Sequence, residues 1–467
     1  MTLSLAADRD AMLARTGELI TKAWRSFDQS RPDQPPIDDR LRELLREAMP
    51  KHGMPIEQAL DDAALVLDES IAQPRPRYFA FVGSSGLEIG VVADALAACF
   101  DVNLAAYAAA ATDVEEQAVR WVGEFLGFPA GGGTFTSGGT VSNLTALAAA
   151  RERALPGARE HGLNGHRLAL YCSAEAHYSV VRAAELLGIG SGAVRRIACD
   201  QERRVRPDQI AEAIDRDRAA GVTPLAVVAT AGTTLTGAVD PIGSIAEVCE
   251  PRNVWLHVDG AYGLPAAATA SARSLFRGLE RADSLALDAH KWLYLPKACG
   301  VVLVRKRDDL RAAFSHRESY MPHDRGSENA VDTTLEYSRP FRALKLWLAF
   351  RVHGADAFRQ AVEGNLALAR LLQGAVEDEP ELEPALRAPQ LSTVPFRHVP
   401  RGVDDLDAHN AELAAALQRD GRVWVAPATI DGCVYLRPCI VNFRTSAEDV
   451  LALVEIALEV GRELAAP

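Results

Sequence analysis

Apolar positions along the chain keep two different rhythms. Through the first 128 residues they recur at helical spacing, and beyond residue 133 short apolar runs alternate with helical stretches. Residues 5–70 carry two or three amphipathic helical patterns, broken by the proline-rich "SRPDQPPIDD". Such a segment has little core of its own. "QPRPRYFAF" (73–81) is punctuated by proline and reads as extended, and 86–128 reads as long alanine-rich helices that stop at "LGFPAGGG".

The second rhythm predicts strands at 167–173, 194–199, 225–231, 254–259, 284–289 and 300–305. Most of these are apolar almost throughout, which suits strands covered on both faces. Strands alternating with helices predict an α/β fold with a mostly parallel central sheet and helices on both faces. Residues 339–354 read as a long helix, 360–467 as a smaller α+β unit, and "EDEPELEP" (377–384) as a solvated polar loop. The expected organisation is a helical segment over 1–75, a large domain over 76–355 and a small C-terminal domain over 356–467.

Polar residues that interrupt these runs gather at predicted strand ends, where open α/β sheets bind ligands. "TFTSGGTVSNLTALAAAR" (134–151) is a Gly-Gly turn leading into a helix. Ser137, Gly138, Gly139 and Thr140 there offer main-chain N–H groups and hydroxyls to a phosphate. The pattern is neither a P-loop nor the dinucleotide fingerprint. His177 in "SAEAHYSV" starts another helix, Asp259 ends the apolar run of "VWLHVDGAYG", and "LALDAHKWLYLP" sets Lys291 in apolar surroundings directly after His290. Burying an ammonium is unfavourable unless it is paired or neutralised, and an amine whose pKa is lowered by burial is a competent Schiff-base nucleophile. Each signal alone has a plain structural reading: a capped turn, a helix-start histidine, an aspartate capping a turn, a lysine reaching for solvent. Together they meet the needs of pyridoxal 5'-phosphate (PLP): a lysine for its aldehyde, a cradle for its phosphate, a carboxylate for its ring nitrogen and a group to stack on its ring.

Composition narrows the classes further. A formal net charge of −13 argues against a general nucleic-acid or anionic-membrane binder. The seven cysteines are scattered, with no CxxC and no Cys/His cluster of zinc spacing, so neither a structural metal nor a disulfide framework is expected. That usage fits a reducing cytoplasm. No apolar run reaches membrane-spanning length free of charge, and the N-terminus lacks the basic start of a signal peptide. The expectation is a cytoplasmic enzyme for a small amino acid substrate, with no nucleic-acid or membrane partner and no metal.

With these residues in hand, the chain resembles the group II pyridoxal-phosphate-dependent amino acid decarboxylases, the family of the aromatic-L-amino-acid, glutamate and cysteine sulfinate decarboxylases. The resemblance covers residues 74–355 and rests on "DAHKW", "HVDGAYG" and "TSGGTVSNLTAL", supported by "SAEAHYSV" and "RPFRALKLWLAFRVHG". It implies the aspartate-aminotransferase-like fold (fold type I of PLP enzymes) and a homodimer with active sites at the subunit interface. By position, it implies that Lys291 holds the cofactor as an internal aldimine, Asp259 pairs with the ring nitrogen and His177 stacks on the ring. Ser137, Gly138, Gly139, Thr140 and His290 fall on the phosphate side, Thr230 beside the ring and Ala261 behind it. Tyr320, 29 residues after Lys291, falls where the family carries a tyrosine on a catalytic loop, and Arg437 in "VYLRPCI" matches a partner for the substrate carboxylate. One departure is Asp288, where some members have Asn. An anion facing a phosphate is repulsive, so Asp288 is expected to point elsewhere or to accept main-chain N–H groups.

The implied reaction is loss of CO2 from an L-amino acid through an external aldimine and a quinonoid, with Tyr320, assisted by His177, returning a proton to Cα. The segments expected to line the substrate pocket, with Phe79, Phe81 and Asn103, are mostly apolar and small, which favours an aromatic or other uncharged side chain. The alternatives are decarboxylation-dependent oxidative deamination to an aldehyde, and decarboxylation of an acidic amino acid.

Overall fold

The structure, a computed structural model, describes residues 5, 6, 8–28, 39–316 and 329–466. Seven strands form the main sheet: β1 (Gly132–Thr136), β2 (Leu168–Ser173), β3 (Val194–Ile197), β4 (Thr223–Thr230), β5 (Trp255–Asp259), β6 (Ser284–Asp288) and β7 (Gly300–Val304). Their order is β1-β7-β6-β5-β4-β2-β3. The run from β6 to β3 is parallel, and β7 is antiparallel to both its neighbours.

Alternate side chains of the central strands feed two different cores, as the two-residue period of a strand requires. Val227 and Ala229 of β4 join one apolar cluster, and Ala226 and Val228 join the other. The helix Gly139–Ala154 crosses the sheet and is buried along most of its length, from Ser142 and Asn143 to Ala150. Its small residues allow that close packing.

β2 to β7 lie where the apolar runs predict strands, and β1 does not. Its "GGTFT" reads as a turn, because three glycines precede the first side chain that can pack. The strand exists through its neighbour: a Cβ on Gly133 would lie 2.4 Å from the Val302 carbonyl oxygen of β7, so glycine permits the approach.

The small sheet is antiparallel, in the order β10 (Pro427–Ile430), β11 (Cys433–Leu436), β9 (Phe396–His398), β8 (Leu382–Pro384). β8 falls inside "EDEPELEP", which is therefore not simply a solvated loop. Leu382 turns into the small core, while Glu381 pairs with Arg462 at 2.7 Å and Glu383 with Arg397 at 2.9 Å. The long helix runs over Ala343–Glu377 and breaks at Gly354 (φ 75°). Its core contacts change domain later than residue 355: Phe358, Val362 and Leu366 belong to the large core, Ala369, Leu372 and Val376 to the small one.

The N-terminal helices Arg9–Phe27 and Ile56–Asp68 are tied by Arg15 to Asp61 at 2.6 Å, and neither contains a buried residue. Among the described residues no helix is long and apolar enough to cross a membrane.

Candidate active site

Thr230, Asp259 and Asp288 are the last residues of β4, β5 and β6. Strand register sets Thr230 directly beside Asp259. A cavity of about 330 Å³ opens at these carboxyl ends, the place where parallel sheets present ligand-binding side chains.

One end of the cavity is the start of the helix Gly139–Ala154. Ser137, Gly138, Gly139 and Thr140 line it, and the first turn leaves main-chain N–H groups free to meet an anion. Gly139 is needed for closeness: a Cβ there would stand 2.9 Å from the Ala261 Cβ and 3.1 Å from Asp288 Oδ2. His290 closes this end. The Cys299 N–H meets its Nδ1 at 3.2 Å, and burial pulls its pKa below the ordinary range against the opposing charge of Asp288.

Lys291 stands on the short turn Ala289–Trp292 that follows β6. Its Nζ is 3.0 Å from Asp288 Oδ2. The expectation for Asp288 is thus corrected: the carboxylate turns neither away nor to main-chain donors, but pairs with Lys291 and lies 3.8 Å from His290 Nε2. The three-residue spacing in a helical turn brings the two charges together, and a buried anion takes the nearest cation.

Asp259 is buried and held by two donors: Asn143 Nδ2 to Oδ2 at 2.8 Å and the Ala261 N–H to Oδ1 at 3.2 Å. His177 reaches the cavity from the opposite side, its Nδ1 2.9 Å from Ser179 Oγ. Behind Thr230, the fully buried Asp240 accepts the N–H groups of Thr230 and Val205, each at 2.7 Å. Burial raises its carboxyl pKa to about 7.

All ten residues expected around the cofactor, namely Ser137, Gly138, Gly139, Thr140, His177, Thr230, Asp259, Ala261, His290 and Lys291, come together on this one cavity. The residues expected to meet the substrate do not line it. Phe79 is wholly buried in the small-domain core, fixed by its N–H to the Trp424 carbonyl at 2.8 Å, so its apolar ring supplies packing. Asn103 accepts the N–H groups of Ala105 at 3.1 Å and Arg339 at 3.2 Å and so organises a turn. Phe81 is exposed. Arg437 is buried behind the cavity wall and donates to the carbonyl of Thr234, which does line the cavity, at 2.9 Å. Tyr320 lies outside the described residues.

Asn143, Ser179 and Tyr262 also line the cavity and escape the sequence reading. A signal existed for His257, the residue behind Asn143: it shares a strand face with Asp259 two residues on, in an otherwise apolar run.

The donors suit PLP. A phosphate would find the glycine-rich helix start, a protonated ring nitrogen would find Asp259, and an aldehyde would find Lys291, the only lysine among the described lining residues. Thr230 Oγ1 is buried without a protein partner beside them, as a hydroxyl reserved for a ligand would be. Among the described residues no group of three His, Cys, Asp or Glu is arranged to hold a metal ion.

Comparison with known proteins agrees with this geometry. The pyridoxal-dependent decarboxylase conserved domain matches residues 38–399, and the chain belongs to that family. It is a PLP-dependent amino acid decarboxylase. It is 35% identical over 440 residues to an aromatic-L-amino-acid decarboxylase of Bacillus atrophaeus, covering 91% of this chain and 90% of that one. It is 36% identical over 359 residues to an L-2,4-diaminobutyrate decarboxylase of Rhizobium meliloti (strain 1021), covering 76% of this chain and 71% of that one. The crystal structure of Oryza sativa TDC with PLP and tryptamine superposes with a TM-score of 0.93 at 26% identity, covering 99% of each chain.

Proposed function

We propose that the chain converts an aromatic or other uncharged L-amino acid to its amine and CO2. The observation that carries this reading is the meeting of Lys291, Asp259 and His177 around one cavity with a glycine-rich helix start. The 35% identity to the Bacillus atrophaeus aromatic-L-amino-acid decarboxylase supports the same class.

PLP, when bound, supplies the electron sink for the carboxylate's bonding pair. Lys291 would anchor it covalently, and Asp259 would hold the proton at its ring nitrogen. His177, Ala261 and Thr230 would hold its ring. Ser137, Gly138, Gly139, Thr140 and His290 would hold its phosphate. Tyr320 delivers the proton to Cα, and Arg437 holds from behind the carbonyl of Thr234, which lines the cavity. Tyr320 and His177 are both present, which favours amine over aldehyde as the product.

The enzyme acts as a homodimer. The helices Arg9–Phe27 and Ile56–Asp68 bury nothing in their own chain, and Val92, Leu96 and Phe100 leave an apolar stripe on the helix Glu88–Phe100 exposed. A second subunit covers both.

Two measurements test the reading. Borohydride reduction followed by peptide mass analysis is expected to find a pyridoxyl group on Lys291; one on Lys297 or Lys345 overturns the assignment. Assaying the twenty amino acids and 2,4-diaminobutyrate for CO2 release is expected to favour tryptophan, tyrosine or phenylalanine. Turnover of glutamate or aspartate alone overturns the substrate class.

A further inference from the structure

A single hydrogen-bonded path runs from the sheet core to both the carboxylate and the imidazole of the cavity. Trp255 Nε1 is 2.8 Å from Ser284 Oγ, Ser284 Oγ is 2.8 Å from His257 Nδ1, and His257 Nε2 is 2.9 Å from Asn143 Oδ1. Asn143 Nδ2 then reaches Asp259 Oδ2 and Ser179 Oγ, both at 2.8 Å, and Ser179 Oγ is 2.9 Å from His177 Nδ1. Trp255, Ser284, His257, Asn143, Ser179 and Asp259 are all buried, so water does not compete for these bonds.

The polarity of every link follows from the two ends. An indole N–H only donates, and an ionised carboxylate only accepts. Ser284 Oγ receives from Trp255 and keeps its own hydrogen for His257 Nδ1 wherever that nitrogen is bare. Burial keeps His257 neutral, pulling its pKa down to about 4 against the charge of Asp259. From the other end, Asp259 accepts, so Asn143 must turn its NH2 group towards it. With Oδ1 thus turned to His257, the ring hydrogen of a neutral His257 must be on Nε2, which leaves Nδ1 to accept from Ser284. Ser179 Oγ, having received from Asn143, donates to His177 Nδ1, where the Ser179 main-chain N–H also points at 3.2 Å. Because Nδ1 accepts from the main-chain N–H, the ring hydrogen of His177 is on Nε2.

We propose that Asn143 is a positioning residue whose one amide sets both the carboxylate of Asp259 and the tautomer of His177, and that His257 fixes the orientation of that amide. The group expected at the ring nitrogen and the group expected on the ring face are thereby set together. The functional meaning rests on the cofactor-facing roles given to Asp259 and His177; the hydrogen positions do not.

The test is NMR of the holoenzyme labelled with 15N in its histidine rings, read together with kcat and KM. In the unaltered enzyme His257 and His177 are both expected as Nε2–H tautomers. Ser179→Ala removes one of the two donors to His177 Nδ1 and leaves the main-chain N–H of residue 179, so it should weaken the Nε2–H preference of His177 without abolishing it. Asn143→Ala and His257→Leu should weaken that preference no further than Ser179→Ala does, and should lower kcat roughly tenfold to a hundredfold with little change in KM, the loss expected when a buried carboxylate loses a donor. His257→Gln keeps an N–H towards Asn143 and should restore both tautomer and kcat. His177 found as Nδ1–H in the unaltered enzyme overturns the proposal. So does a kcat for His257→Gln no better than for His257→Leu. If borohydride finds no adduct on Lys291 while the tautomers are as stated, the proposed catalytic roles fail and the hydrogen-bond assignment stands.

Discussion

On one side of the cavity, Asp259 accepts from Asn143 at 2.8 Å, and Asn143 is held in turn by His257 at 2.9 Å. On the other side, the residues expected to meet the substrate are scattered: Phe79 in the small core, Phe81 on the surface, Asn103 in a turn and Arg437 behind the wall. The contrast shows two ways of building a site. The cofactor side is assembled within one chain from buried polar groups, most of them paired with a partner of the right polarity and only Thr230 Oγ1 and Asp288 Oδ1 left without one among the described lining residues, because an unsatisfied polar group there is strongly unfavourable. The residues expected for the substrate share no such set of buried partners.

The largest test of that contrast strikes the cofactor side. Asp259→Asn keeps the shape of the side chain and removes its charge, so it cannot hold the ring nitrogen protonated. Turnover is expected to fall about a hundredfold or more while the fold survives, since a buried charge-assisted pair is lost. Near-normal turnover contradicts the role of Asp259.

Tyr320→Phe strikes the substrate side. Amine formation should fall by on the order of a hundredfold, as for loss of a general acid. CO2 release should continue, with aldehyde, ammonia and hydrogen peroxide formed from the amino acid, dioxygen and water. Product analysis under air and under argon reads this, and amine at the unaltered rate without oxygen uptake makes Tyr320 a bystander.

Gly139→Ala has a smaller effect and a sharper location. The new methyl would stand 2.9 Å from the Ala261 Cβ, so the phosphate end must open. PLP affinity is expected to weaken roughly tenfold, equivalent to about 1.4 kcal/mol, with unfolding temperature little changed. Unchanged PLP affinity by fluorescence titration removes Gly139 from the cradle.

The smallest effect is on stability and comes from His257. Its native pKa is about 4, against an ordinary 6.5. As pH falls between these values the unfolded chain takes up a proton that the native chain refuses, so stability falls, by up to roughly 1.4 kcal/mol per pH unit. Asp240, raised to about 7, works in the opposite sense over the same window. The readout is therefore the difference between His257→Gln and the unaltered protein, in which Asp240 cancels. Melting temperature should depend less on acid in the variant, and identical pH profiles contradict a neutral buried His257.

Much of this was legible in the chain. Four of the six predicted strands announce themselves as runs apolar almost throughout, because strands covered on both faces have no polar positions to blur the signal, whereas the edge strand Val194–Ile197 carries two arginines. Lys291, Asp259 and His177 stand out because each interrupts or ends such a run with a group that needs a reason to be there. β1 and β8 were hidden for opposite reasons: glycine carries no hydrophobic signal, and an edge strand with glutamates on its open face resembles a loop.

Sequence alone therefore determined the fold class, the cofactor and the residues gathered around it, since burial and hydrogen-bonding needs are local properties that leave a mark on the residues themselves. Tertiary structure alone decided the rest. Asp288 settled on Lys291 because the turn brings them to 3.0 Å, and Phe79 was taken into the small core rather than left to the substrate. Asn143 became the hub of the site because a helix from residue 139 crosses the ends of β5 and β6, bringing it within reach of His257, 114 positions away in the chain. No pattern of neighbours in sequence encodes a contact of that range; the packing of the sheet creates it.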